Sequence, residues 1–405
     1  MTPTTSAPAQ KPSHVPDGLV ADVDFFNLPG AEDDVQAAWL RVKQENAPIF
    51  WTPRNGGHWI VTRSEDLKAL QMDHERFSHR EIILPKIKFP EPLVPIMLDP
   101  PEHTGYRRLI MKLFAPARLD LLEARAQELS NSLVEGVFPK GECEFVSELS
   151  EALPIVVFLE MMGLPTEDWR YLKTFVGAVA HSQDESERQA SDAKMTAYVE
   201  QWVDKRLAAP GDDPISYIGQ AEVDGQKLSR RQTINVVRLL LGGGLDTVAN
   251  MMAFQIQFLA RHPEHRRQLA EDPGLIPNAV EELIRRHGLS ATCREVTHDM
   301  TFGEVFLAKG DLIQQPNCLF GLDDALNPNP LEVDFHRPRP IAHAAFGNGP
   351  HVCPGSMLAR RELKVFLQAW LAKIPEFSIK PGTRPIQHGG MINSITDLHL
   401  TWETA

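Results

Sequence analysis

Cysteine is scarce in this chain, with four residues among 405 and no C-x-x-C pair. That scarcity excludes a disulfide-built scaffold and fits a reducing, cytoplasmic setting. Basic charge is also short: 41 Lys and Arg stand against 54 Asp and Glu, for a net charge of -13. A sequence-independent nucleic-acid binder needs the opposite balance, so the expected partner is a small molecule or a protein. No uninterrupted run of about 18 apolar residues occurs, so no membrane-spanning helix is expected. The first 16 residues, MTPTTSAPAQKPSHVP, lack the apolar segment of a signal peptide and read as a disordered tail. No unit of about 20 to 50 residues recurs, which excludes solenoids and propellers.

What is present is an ordinary globular balance, 42% hydrophobic and 23% charged, enough to bury a large core. No composition break divides it, so residues 17–405 read as a single domain. Apolar residues recur at helical spacing over residues 119–137, 195–208, 230–262, 277–287 and 355–374. Strand signals are short: IFWTP and HWIVTR separated by RNGG, then EVFLAKGDLI and DLHLTW. The expected fold is mainly α with a minor β-sheet region. Residues 80–101 carry six prolines among apolar residues, a pattern that breaks helices and suits a loop lining a ligand.

The segment 230–262 would be a helix of roughly 50 Å at about 1.5 Å per residue. In its middle stand Gly242, Gly243 and Gly244, each costing about 1 kcal/mol relative to alanine. Close helix packing is one explanation. Asp246 and Thr247 follow Gly243 at i+3 and i+4, however, which puts an acid and an alcohol beside bare backbone on one helix face. Such a set suits proton transfer next to a ligand that needs room.

Three of the cysteines, Cys143, Cys293 and Cys318, read as small buried hydrophobes. Cys353 differs, because it lies in AAFGNGPHVCPGS, after two glycines and before Pro354, which is placed to open a helix. The helix dipole and nearby backbone N–H groups would lower its pKa. Three uses compete. A nucleophile would use His351 as base, but lacks a recognisable context. Zinc would find His343, His351 and Cys353 without a fourth ligand. An axial thiolate to haem iron needs one cysteine, glycines that admit the macrocycle, and cations elsewhere for two propionates.

At this point the chain resembles the cytochrome P450 haem-thiolate monooxygenases. FGNGPHVCPG matches the family's F-G-x-G-x-H-x-C-x-G loop, GGLDT its oxygen-binding helix motif, and Glu282-x-x-Arg285 its E-x-x-R pair. Stretches such as HVPDGLV, LDPPEHTGYRR and LARRE are similar to the bacterial camphor 5-monooxygenase family. The resemblance implies a P450 fold with a long central helix crossing one haem b per chain. It makes Cys353 the iron ligand, Asp246 and Thr247 the proton donors, and His103, Arg107, Arg294 and His351 the propionate partners. Phe346 and Gly347 would lie against the macrocycle, and Glu282 and Arg285 would form a buried structural pair.

The departures bear on substrate. No tyrosine occurs in residues 80–101, where the camphor enzyme uses one to hold its ketone; Glu91 is the nearest counterpart. Ile83 and Gly242 stand where that family has larger groups. The resemblance therefore implies hydroxylation of a compact hydrophobic molecule bulkier than camphor, a terpenoid or a norisoprenoid such as an ionone. The expected lining is Ile83, Leu93, Ile96, Leu239, Gly242, Gly243, Ser290, Thr292 and Ile392. It also implies O2 as co-substrate, and electrons from a [2Fe-2S] ferredoxin with its reductase, docked on Lys68, Arg107, Arg108, Arg360 and Arg361. A haem-thiolate peroxygenase, isomerase or sensor would keep Cys353 with less need of the acid–alcohol pair. A zinc hydrolase would leave the glycine-rich helix unexplained.

Overall fold

The computed structural model describes residues 8–404 except Lys88 and Pro90. Helices dominate and the sheets are small, as the periodicities require. The expected helices appear as Pro116–Val137, Glu185–Ala208, Ile276–Arg286 and Ser356–Lys373. Helix Ser356–Lys373 packs along Pro116–Val137, and aromatic residues with full burial, Phe145, Phe254, Phe366 and Trp370, fill the space around them.

The central segment departs from a single helix. It forms Arg230–Gly244 and Thr247–Arg261, broken at Leu245 and Asp246. Ser229 caps the first piece through a reciprocal bond with Gln232. The second piece opens at Asp246, with φ of -116°. Three successive glycines remove the side-chain contacts that would hold the helix straight, and the chain bends just after them. The span Arg230–Arg261 is long and apolar enough to cross a membrane by composition alone, through an 18-residue stretch of mean hydropathy 1.2. In the fold 61% of that stretch is buried inside the molecule, so it is a core element.

The hairpin expected around RNGG pairs Phe50 with Ile60, and its turn uses Asn55, Gly56 and Gly57 at positive φ. It extends into a five-stranded sheet ordered Ile49–Thr52, His58–Val61, Leu312–Pro316, Ala291–Val296 and Phe77–Ser78. Register places Arg294 opposite Ile313 and Thr292 opposite Gln315, so both side chains are set by a buried ladder. Strand Phe77–Ser78 closes the edge and delivers His79 beside them.

Order begins earlier than residue 17. Ala9 N–H donates to Pro53 O at 2.8 Å, Val15 is 1% exposed, and His14 Nε2 lies 2.9 Å from an Asp311 carboxylate oxygen. The tail expected over residues 1–16 is thus packed from Ala9 on, and residues 1–7 lie outside the described residues.

Candidate active site

Cys353 sits between a turn at Gly349–His351 and the helix Ser356–Lys373. Its N–H donates to Phe346 O at 2.9 Å, which closes the loop on itself. Two glycines of this loop, Gly347 and Gly349, hold φ of 71° and 69°. They differ in purpose. A Cβ on Gly349 would stand 2.6 Å from Gln71 O, whereas one on Gly347 would meet nothing within 4 Å. The first permits close packing of backbone; the second leaves open space. Pro354 does not start the helix, because Gly355 occupies the cap position and Ser356 is the first helical residue. Burial pushes the Cys353 thiol up, and the Gly355 N–H, Arg107 and Arg360 only partly offset it. The lowering expected from the helix end is thus outweighed by loss of water.

Beside the thiol the fold gathers imidazole and guanidinium groups. His351 stacks on His79 with centroids 3.3 Å apart, and His103 lies 4.1 Å from His351. His103 and Arg107 share a face of helix Glu102–Met111, and Arg107 Nη2 donates to Val352 O at 2.5 Å. Arg294 Nη1 donates to Cys293 O at 2.6 Å. Burial pushes His351 down to about 2, His103 down to about 4 and Arg294 down to about 9; repulsion from His103, Arg294 and Arg107 adds to the fall of His351, and repulsion from Arg107 to that of His103. His79 Nδ1, His351 Nε2 and Arg294 Nε are buried without a hydrogen-bond partner. The carboxylate nearest to this cluster, Asp99, already accepts from Ser78 Oγ at 2.5 Å and from His79 N–H at 2.9 Å. A set of buried donors without an anion fits two carboxylates from outside, as haem propionates would supply.

Zinc is disfavoured here. His343 Nε2 is 2.8 Å from Glu281, which also accepts from Arg360 Nε at 2.7 Å, so His343 is engaged away from the thiol. Arg360 in turn lies 4.4 Å over the Phe346 ring and fixes the start of the loop.

At the break in the central helices the three glycines divide. A Cβ on Gly244 would stand 2.5 Å from the Phe158 ring, so this glycine serves packing. Gly242 and Gly243 have nothing within 4 Å of such an atom. Thr247 Oγ1 donates to Gly243 O at 3.3 Å, and the acid does not face the alcohol. Asp246 Oδ2 instead lies 2.8 Å from His181 Nε2. Both line a cavity of about 440 Å³ with Glu151, Lys173, Asn250 and His388.

The expected substrate lining falls into three groups. Ile83, Leu93 and Ile96 join a small apolar cluster with Ile87, Met97, Val179 and Met391. Leu239, Gly242 and Gly243 lie on Arg230–Gly244. Ser290 bridges Ile392, and Thr292 Oγ1 donates to the Gln315 side-chain oxygen at 2.9 Å. Glu91 is paired with Arg231, so its carboxylate is engaged at the surface.

Glu282 and Arg285 are fully buried, bonded at 2.7 and 2.8 Å, and Arg337 Nε lies 3.0 Å from both Glu282 oxygens. Of the five cations expected to form a docking face, Lys68 is exposed, Arg108 is exposed and 3.7 Å from Asp224, and Arg107 turns inward. Arg361 is held by Asp120 and Glu123, and Arg360 by Glu281. His79 and His181 escaped the sequence reading. Neither belongs to a spacing motif; each is brought in by packing alone.

The family model "Cytochrome P450" matches residues 274–391. The chain is 33% identical over 401 residues, 96% of each chain, to a probable cytochrome P450 127A1 of Sinorhizobium fredii. It is similar to the crystal structure of CYP101J2 at TM-score 0.89 and 35% identity, covering 98% of this chain and 100% of that one. The crystal structure of cytochrome P450 CYP101C1 gives TM-score 0.89 and 37% identity, with 97% and 100% covered. With the thiol loop, the anion-seeking cluster and the divided central helix in place, this likeness along nearly the whole length means that the chain belongs to the cytochrome P450 family, whose members are haem-dependent monooxygenases.

Proposed function

We propose that this P450 is a cytoplasmic enzyme that hydroxylates a compact hydrophobic molecule, a terpenoid or a norisoprenoid such as an ionone. Electrons would come one at a time from a [2Fe-2S] ferredoxin and its reductase. The observation that carries the reading is the pairing of one thiol with a buried cluster of unpartnered imidazole and guanidinium donors. When bound, haem b supplies dioxygen activation at an iron whose thiolate ligand favours O–O cleavage.

The chain's own residues have separable tasks. Cys353 is the iron ligand. His103, Arg107, Arg294 and His351 hold the propionates, and His79, stacked on His351, belongs to the same set. Gly347, Gly242 and Gly243, at each of which a Cβ would meet nothing within 4 Å, would leave room for the macrocycle and for a ligand beside it. Asp246 passes a proton between Oδ2 and His181 Nε2, and the cavity behind them connects that pair to water. Thr247, whose hydroxyl rests on Gly243 O away from that pair, would hand on the proton as a separate donor beside the open backbone of Gly243. The apolar cluster of Ile83, Leu93 and Ile96 excludes water from one side and favours a substrate without charge. With no tyrosine in residues 80–101 and Glu91 paired to Arg231, binding rests on shape and apolar contact.

Optical titration tests the substrate class. Ionones and compact terpenoids should convert the haem from low to high spin, and fatty acids and aromatic acids should not. Conversion by the acids alone would overturn the terpenoid assignment while leaving the monooxygenase reading intact.

A further inference from the structure

Helix Thr247–Arg261 ends at His262, where helix Pro263–Glu271 begins. In that turn His262, Glu264 and His265 bring their donor atoms within 4.8 Å of one another. His262 Nδ1 is 3.2 Å and His265 Nδ1 3.1 Å from the same Glu264 oxygen. The other nitrogen of His265, Nε2, lies 2.9 Å from Val333 O. A carbonyl only accepts, so that bond fixes the hydrogen on Nε2 and leaves Nδ1 bare in the neutral ring. A bare lone pair aimed at a carboxylate oxygen is repulsive unless a proton or a cation lies between.

Helix electrostatics explain Glu264, since a carboxylate suits a first turn. They do not explain two imidazoles turned toward it. Four ligands about 2.05 Å from a tetrahedral zinc ion stand about 3.3 Å apart, close to the two separations found here. The carbonyl behind His265 is the outer partner that metal-binding imidazoles usually have. Both rings are seated by aromatic contact. Phe258 stacks on His262 at 4.3 Å and meets His265 edge-on at 5.1 Å, while Phe335 packs on His265 at 5.2 Å. The side chains of His262 and Glu264 are 44% and 56% exposed, which leaves an ion free access and a place for water as fourth ligand.

We propose that His262, Glu264 and His265 form a site for a divalent transition metal, zinc foremost, remote from the haem. Two nitrogen donors disfavour calcium and magnesium, which take oxygen. Through His265 the ion would tie this turn to the segment at Val333, whose neighbour Asp334 donates its N–H to Glu282 at 3.1 Å. The site would therefore brace the strand of chain that closes the buried Glu282–Arg285 pair.

Isothermal titration of the EDTA-stripped holoprotein with zinc chloride, at pH 7.5 in a non-chelating buffer, tests this. One saturable equivalent is expected, with affinity lowered at least about tenfold in H262A, H265A and E264Q and unchanged in H298A, a histidine exposed elsewhere. H262A guards against misfolding, because that side chain is 44% exposed at the end of a helix. Equal affinity in wild type and H262A, or no saturable binding by wild type below about 1 mM zinc, would overturn the site.

Discussion

At the scale of residues, three side chains separate binding from chemistry. Replacing Cys353 by alanine should abolish the strongly red-shifted Soret band of the carbon monoxide adduct of the reduced protein, because no other described thiol lies in that loop. A retained band in Cys353→Ala would refute thiolate ligation. Thr247→Ala should keep substrate-induced spin conversion but divert reducing equivalents to peroxide; product formed per electron pair is the quantity to follow, and tight coupling would remove Thr247 from the proton route. His181 carries a pH dependence. Burial pulls its imidazole down, yet the Asp246 carboxylate beside it outweighs that, and the net shift is upward. A raised folded pKa gives stability that is complete below the unfolded value of about 6.5 and lost as pH rises through the folded value. The stability gap between wild type and His181→Gln in urea should thus be wider at pH 6 than at pH 9. A gap independent of pH would mean that the pair contributes packing and no charge.

Among elements, the divided central helix gives the sharpest contrast. Gly244→Ala drives a Cβ to 2.5 Å from the Phe158 ring and should cost about 1–3 kcal/mol through overpacking. Gly243→Ala, one position earlier, meets nothing and should stabilise the helix by up to about 1 kcal/mol in the haem-free protein. Urea denaturation of both apoproteins reads the difference directly; similar effects would show that the three glycines share one role. The sheet is the other positioning element. Its register sets Arg294 and Thr292 with no local signal to do so, since a one-residue slip would turn both to the opposite face.

For the whole molecule, the buried acid–base network around Glu282 joins distant parts of the chain. Arg285 donates to Glu282, to Gly321 O at 2.9 Å and to Pro330 O at 2.7 Å, and Arg337 completes the set. Removing one partner strands the others without water, so Glu282→Ala should cost about 3–5 kcal/mol. The check is the urea midpoint together with the fraction of haem retained after purification; an unchanged midpoint would show that water replaces the carboxylate. Charge acts at this scale too. With net charge -13, and with Arg360 and Arg361 of the expected docking face already neutralised by Glu281, Asp120 and Glu123, the proposed docking of an acidic ferredoxin would have little long-range attraction to draw on.

The sequence by itself determined the helical architecture, the thiol loop and the three-residue spacing of Glu282 and Arg285. Each is written as local periodicity, turn chemistry or a short spacing that survives any choice of tertiary contacts. It also named His103, Arg107, Arg294 and His351, although only by resemblance to a family. Only the tertiary structure decided where the central helix breaks, that Asp246 faces His181 and not Thr247, and that His79 stacks on His351. These contacts join residues between 65 and 272 positions apart in the chain, a span that no helical or strand period encodes. They arise because burial leaves polar groups to find whichever partner the packed core has brought within reach.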